Sequence, residues 1–93
     1  MEQIYITRRL PDEGLRILKK YDLDIYEGDM PPSKKEILQG VQGKDALISL
    51  LTDPIDKDVI DASPRLKIIA NYAAGVDNID ISMATRKGIL VTN

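Results

Sequence analysis

Apolar residues along the chain follow two alternating spacings. Five short runs have the density or two-residue alternation of strands, and the stretches between them have the three-to-four spacing of amphipathic helices. Gln3-Ile4-Tyr5-Ile6-Thr7 is β-branched and aromatic, a strand that starts almost at the first residue. Pro11 then stands where a helix can begin, with Asp12 and Glu13 in its first turn. Leu15, Ile17, Leu18 and Tyr21 form its apolar face, and Lys19-Lys20 its basic last turn. Leu23-Asp24-Ile25-Tyr26 alternates, which predicts a strand at a sheet edge. Gly28 to Pro32 is a loop.

Ser33-Lys34-Lys35-Glu36 has the spacing of a capping box, so a helix runs through Ile37 and Leu38 and stops near Gly40. Asp45-Ala46-Leu47-Ile48-Ser49-Leu50-Leu51 is nearly all apolar, the pattern of a strand covered on both faces. Thr52-Asp53-Pro54 ends it. Asp56 caps a short helix over Lys57 to Ala62, closed before Pro64. Lys67 to Tyr72 is the next strand. Asp80 caps a helix over Ile81 to Lys87, with Gly88 at its C′ position. Ile89-Leu90-Val91-Thr92 is the last strand.

Strand and helix therefore alternate, five of one and four of the other. Helical crossovers imply a parallel sheet with helices on both faces. For five strands the order 2-1-3-4-5 is a common doubly wound arrangement.

Composition narrows the chemistry. Ninety-three residues predict a single domain spanning 1–93. A net charge of −2 argues against a nucleic-acid partner. The basic pairs Arg8-Arg9, Lys19-Lys20, Lys34-Lys35 and Arg86-Lys87 are scattered, as on solvated faces. The chain has neither cysteine nor histidine. That removes thiolate metal sites, the commonest general acid–base and the commonest metal ligand. No apolar run approaches the ~20 residues of a membrane span, and charges interrupt the N-terminus, so the expected location is cytoplasmic.

The stretch from Leu66 to Asp80 holds the sharpest candidate. An apolar strand breaks into Ala73, Ala74 and Gly75, then closes on Asp77-Asn78-Ile79-Asp80. Ligands of open α/β sheets bind at the carboxyl ends of the strands, and small residues there admit close approach to the backbone. One reading of Ala74 and Gly75 is a plain strand-to-helix turn. The other is a pair of backbone N–H groups offered to an anion, which need no cationic side chain. Leu51 and Thr52, at the end of the neighbouring strand, are a second wall, and Thr52 adds a hydroxyl. A turn-forming Thr-Asp-Pro explains them equally. Asp77, Asn78 and Asp80 are accounted for by turn and cap formation rather than by a metal. No Gly-x-Gly-x-x-Gly or Walker pattern occurs.

Four segments carry a resemblance. They are Tyr5-Ile6-Thr7-Arg8-Arg9-Leu10-Pro11; Asp45-Ala46-Leu47-Ile48 with Leu51-Thr52-Asp53; Ala70-Asn71-Tyr72-Ala73-Ala74-Gly75-Val76-Asp77-Asn78-Ile79-Asp80; and Ala84-Thr85-Arg86-Lys87-Gly88-Ile89-Leu90-Val91-Thr92-Asn93. Together they resemble the amino-terminal part of the D-isomer-specific 2-hydroxyacid dehydrogenases, nearest to the archaeal glyoxylate reductase branch. The resemblance covers essentially the whole chain. It implies a flavodoxin-like three-layer substrate domain. In it, amides matching Ala74 and Gly75 hold the substrate carboxylate, and positions matching Leu51 and Thr52 line the same pocket. It also implies a small 2-keto or 2-hydroxy acid as substrate and NAD(P) as cofactor of the full-length family.

The departure from that family lies past Asn93. A full member continues there into a dinucleotide-binding domain that brings the glycine-rich loop, a catalytic arginine, an acidic partner and the acid–base histidine. Its substrate domain is also completed by a returning C-terminal segment. This chain has no histidine and no such loop, so no catalytic, cofactor-binding or metal-binding residue is assigned within it. The expectation is a partial dehydrogenase, inactive alone. The alternatives are a stand-alone carboxylate-binding module, and an interaction module that forms a homodimer or joins a separate dinucleotide-binding domain.

Overall fold

The computed structural model describes residues 2–93. The elements are β1 (Gln3–Ile6), α1 (Asp12–Leu18), β2 (Asp22–Ile25), α2 (Lys34–Gly40), β3 (Ala46–Ser49), α3 (Lys57–Asp61), β4 (Ile68–Asn71), α4 (Ile81–Arg86) and β5 (Leu90–Thr92). All strand pairs are parallel, in the order β2-β1-β3-β4-β5. Every strand and helix expected from the sequence is present, with ends one or two residues shorter in most cases. The first helix differs most. It stops at Leu18, so Tyr21 lies beyond it and the basic residue of its last turn is Arg16.

The caps form as their chemistry dictates. The Glu36 amide donates to Ser33 Oγ at 3.2 Å, and the Ser33 amide donates to Glu36 Oε1 at 2.8 Å. Asp56 accepts from the Val59 amide, and Asp80 from the Met83 amide. Gly88 has φ 73°, the left-handed geometry in which glycine closes a helix without steric penalty.

One face of the sheet is sealed. Tyr5, Leu47 and Ile69 are register neighbours across β1, β3 and β4. Ile37 from α2 and Val41 from its C-cap join them in one core cluster, with Val59 and Ile60 from α3 and Ala84 from α4. Gly40 has a role that its position near a helix end did not reveal. A Cβ there would overlap the Tyr5 ring, so the missing side chain is what lets the ring approach α2 so closely. Burial pushes the Tyr5 hydroxyl up to about 12.

The opposite face is not sealed. An open groove of about 360 Å³ runs over Ile4, Ala46, Ile48, Ile68 and Ala70, bounded by Leu18 and Tyr21. This corrects the expectation that β3 is covered on both faces: Leu47 and Ser49 are buried, whereas Ala46 and Ile48 are half-exposed. The reason is topological. Only the β1-to-β2 connection reverses direction across the sheet, so right-handed crossovers put α1 on one face and α2, α3 and α4 on the other.

Candidate functional site

Parallel pairing brings the carboxyl ends of β1, β3 and β4 to one edge. Each of these ends carries a buried polar residue: Thr7, Ser49 and Asn71. Apolar strands that finish in buried polar groups need partners for those groups. The partners come from one another and from the two loops at this edge, 50–56 after β3 and 72–80 after β4.

Thr7 Oγ1 donates to Asp53 Oδ2, which also accepts from the Leu50 amide at 2.8 Å. Asp53 is 1 % exposed, and its Oδ1 is without a hydrogen-bond partner among the described residues. Ser49 Oγ donates to Asn71 Oδ1 at 2.8 Å. Asn71 Nδ2 donates to the Gly75 carbonyl at 2.8 Å and to Asn78 Oδ1 at 2.7 Å. Asn78 Nδ2 in turn reaches the carbonyls of Leu50 and Asp53, at 2.9 and 2.8 Å. The opposite orientation of that amide would set an oxygen against two carbonyls, so its neighbours fix which way it points. The loops are also joined through the backbone, where Ile55 donates to Asn78 O and Asp80 donates to Ile55 O, both at 2.9 Å.

The four residues singled out from the sequence sit on this scaffold. Leu51 and Thr52 are exposed, on a segment bracketed by Leu50 and Asp53, the two residues whose carbonyls Asn78 holds. Ala74 is exposed and Gly75 half-buried. Among the described residues neither the Ala74 nor the Gly75 amide donates a hydrogen bond. Their carbonyls are both taken: Ala74 O accepts from Asn93 Nδ2 and Gly75 O from Asn71 Nδ2, each at 2.8 Å. A Cβ built on Gly75 meets no atom within 4 Å, so residue 75 faces open space. At Ala74 and Gly75 the carbonyls are thus engaged and the two donors unengaged, the polarity an anion requires.

Arg8 and Arg9 are exposed. Arg9 makes long surface contacts with Asp12 and Glu27, at 3.9 and 3.8 Å. Among the described residues no group of three or more acidic side chains is arranged to hold a metal, and no helix is long and apolar enough to cross a membrane. A nicotinamide dinucleotide is not fitted by these residues. The turn from β1 to α1 is Thr7-Arg8-Arg9-Leu10-Pro11, without the glycines that let backbone approach a pyrophosphate.

Sequence reasoning missed Asn71, Asn78, Thr7 and Asp53 as parts of the site. The available signal was three neighbouring apolar strands that each finish in Thr, Ser or Asn.

Comparison with known proteins is consistent along the whole chain. The family described as D-isomer specific 2-hydroxyacid dehydrogenase, catalytic domain, matches residues 4–93. A glyoxylate reductase of Korarchaeum cryptofilum is 50% identical over 92 residues, covering 98% of this chain and 28% of that protein. The crystal structure of a Thermus thermophilus protein superposes with a TM-score of 0.89 at 36% identity, over 96% of this chain and 29% of that one. An Entamoeba histolytica 3-phosphoglycerate dehydrogenase solved with NAD+ bound gives a TM-score of 0.81 at 26% identity, over 97% of this chain and 32% of that one. The chain therefore spans about three-tenths of the length of the proteins it matches.

Proposed function

Because this chain belongs to the D-isomer-specific 2-hydroxyacid dehydrogenase family, we propose that it supplies the wall that grips the substrate carboxylate of an NAD(P)-dependent, glyoxylate reductase-like oxidoreductase. The reading is carried by the Ala74 and Gly75 amides, which are unengaged at the carboxyl edge of the sheet while their own carbonyls are held. A carboxylate bridging two such amides gains charge-assisted hydrogen bonds, each contributing about 1.5–3 kcal/mol. Leu51 and Thr52 form the facing wall of the pocket for a small 2-keto or 2-hydroxy acid.

What the wall does is hold and orient. Reduction of a 2-keto acid needs a hydride donor and a proton donor in reach of the carbonyl. The chain has no histidine and no fitted dinucleotide loop, so we take both donors to lie outside these residues. Alone, the chain binds the acid and does not turn it over. Two measurements test this. Calorimetry with oxalate, an unreactive dicarboxylate, should give a dissociation constant of about 1 mM, the weak affinity that two or three hydrogen bonds to a small ligand support. Glyoxylate with NADH should be consumed at the background rate. Clear turnover, or no oxalate binding at 20-fold higher concentration than about 1 mM, would contradict the reading.

The open sheet face favours a second reading beside the first, an interaction module. Leu90, the register neighbour of Ile68, is 62% exposed beside the apolar groove. Parallel sheets are normally covered on both faces. Either a second copy or a separate dinucleotide-binding domain would cover it. A sedimentation mass of twice the monomer would establish the homodimer.

A further inference from the structure

We propose that Asn71 and Asn78 are positioning residues, whose paired side-chain amides lock the two loops of the carboxylate site into one rigid unit. The proposal rests on the carboxylate-grip reading for the identity of the ligand, and on the geometry alone for the rigidity.

Asn71 is 3 % exposed, and its side chain is fully used. Its oxygen is held by Ser49 Oγ, and its nitrogen spans Gly75 O and Asn78 Oδ1. The peptide bond between Gly75 and Val76 is trans, as all are among the described residues. In a trans peptide the C=O and N–H point in opposite directions. Asn71 therefore turns the Gly75 carbonyl toward the strand end and the Val76 N–H away from it. The Val76 amide donates no hydrogen bond among the described residues. The same logic makes Asn93, on Ala74 O, set the direction of the Gly75 N–H. Asn78 then ties this loop to the other. Its nitrogen holds the carbonyls of Leu50 and Asp53, which flank Leu51 and Thr52. Neither asparagine contacts the ligand. Each acts through the peptide it holds, and together they remove the entropy of arranging two loops at the moment of binding.

The test uses the 93-residue chain with Asn71→Leu and Asn78→Ala, both neutral, so that added charge does not repel the probe. Ser49→Ala is the control: it deletes a buried hydrogen bond from the same network but leaves Gly75 and Leu50 tethered. The first readout needs no ligand. Backbone 15N order parameters at residues 51, 52 and 74–76 should fall from about 0.85 to below about 0.6 in both amide variants and stay high in the control. The second readout is the oxalate dissociation constant. It should weaken about tenfold in the amide variants and stay within about twofold in the control. Loops that remain rigid in the amide variants overturn the proposal, whatever oxalate does. Loops that loosen equally in Ser49→Ala also overturn it, since the effect is then general destabilisation. If the loops loosen as stated but the unmodified chain binds no oxalate, the carboxylate reading falls and the positioning role stands. Should Asn71→Leu fail to fold, Asn78→Ala, at a half-buried site, carries the same test.

Discussion

Asn93 Nδ2 donates to the carbonyl of Ala74 at 2.8 Å, across the sheet edge from a residue 19 positions earlier. The contact is exposed, so its net contribution is small. Its effect is directional, because it fixes the peptide plane that carries the Gly75 N–H. Asn93→Ala should leave the melting temperature within about 2 °C and weaken oxalate about threefold, as expected for losing one exposed neutral hydrogen bond. Thermal melts and calorimetry on the two proteins check this.

Gly75→Val should separate binding from folding. No atom lies within 4 Å of the added Cβ, and the backbone there is not in the left-handed region, so the fold tolerates the side chain. The isopropyl group would stand in front of the unengaged amides. Oxalate binding should disappear, with a change in stability of under about 0.5 kcal/mol. Undiminished binding in the folded variant would move the site elsewhere.

Gly40→Ala should do the reverse. The new Cβ would overlap the Tyr5 ring beneath α2, in the sealed layer of the core. Overpacking of this kind costs about 1–3 kcal/mol, which lowers the melting temperature of a domain this size by roughly 4–24 °C. Oxalate affinity measured well below the transition should be unchanged, because Gly40 lies in α2 and not in either loop.

Acid should destabilise the fold in a narrow window. The Ser33 amide holds Glu36 below the usual carboxylate range, and the Gln3 amide does so for Asp45, with Arg65 adding to it. Lys34 lowers Asp56. Lys57 and Lys87 lower Asp61. In each case the folded pKa lies below the unfolded value of about 3.9–4.3. The unfolded chain then binds more protons as pH falls, so this stability is complete above that value and is lost through the lower folded values. The melting temperature should be flat between about pH 5 and 7, where a chain without histidine has no side chain of ordinary pKa to titrate, and fall below about pH 4. Asp45→Asn should lower the melting temperature at neutral pH and make the acid limb shallower. A decline between about pH 7 and 5 would contradict the assignment.

Much of the fold was legible because local and global signals agree. Ser33 and Glu36 cap α2, Asp56 caps α3, Asp80 caps α4, and Gly88 closes it, each at the position its chemistry requires. The apolar runs of β3 and β4 gave a parallel sheet, and the sheet placed Ala74 and Gly75 at its carboxyl edge. Two things were not legible. The exposure of Ile48 and Ala46 depends on which face each crossover helix takes, and an apolar run looks the same whether its outer face is covered or bare. The work of Asn78 was hidden because asparagine in a turn has a sufficient local explanation, and that of Asn71 because it reads only as the last residue of a strand. The partners of Asn78 at Leu50 and Asp53 are 28 and 25 residues away in sequence, and only the register of β3 on β4 brings them together.

The most direct test of the account is a 15N–1H titration of the chain with oxalate. The largest amide shifts should fall at Ala74 and Gly75, followed by Leu51 and Thr52, with saturation at a few times about 1 mM and no comparable change over α1 or the open sheet face. Shifts centred away from loops 50–56 and 72–80, or a spectrum unmoved at about 20 mM oxalate, would contradict the claim that these unengaged amides are a carboxylate grip.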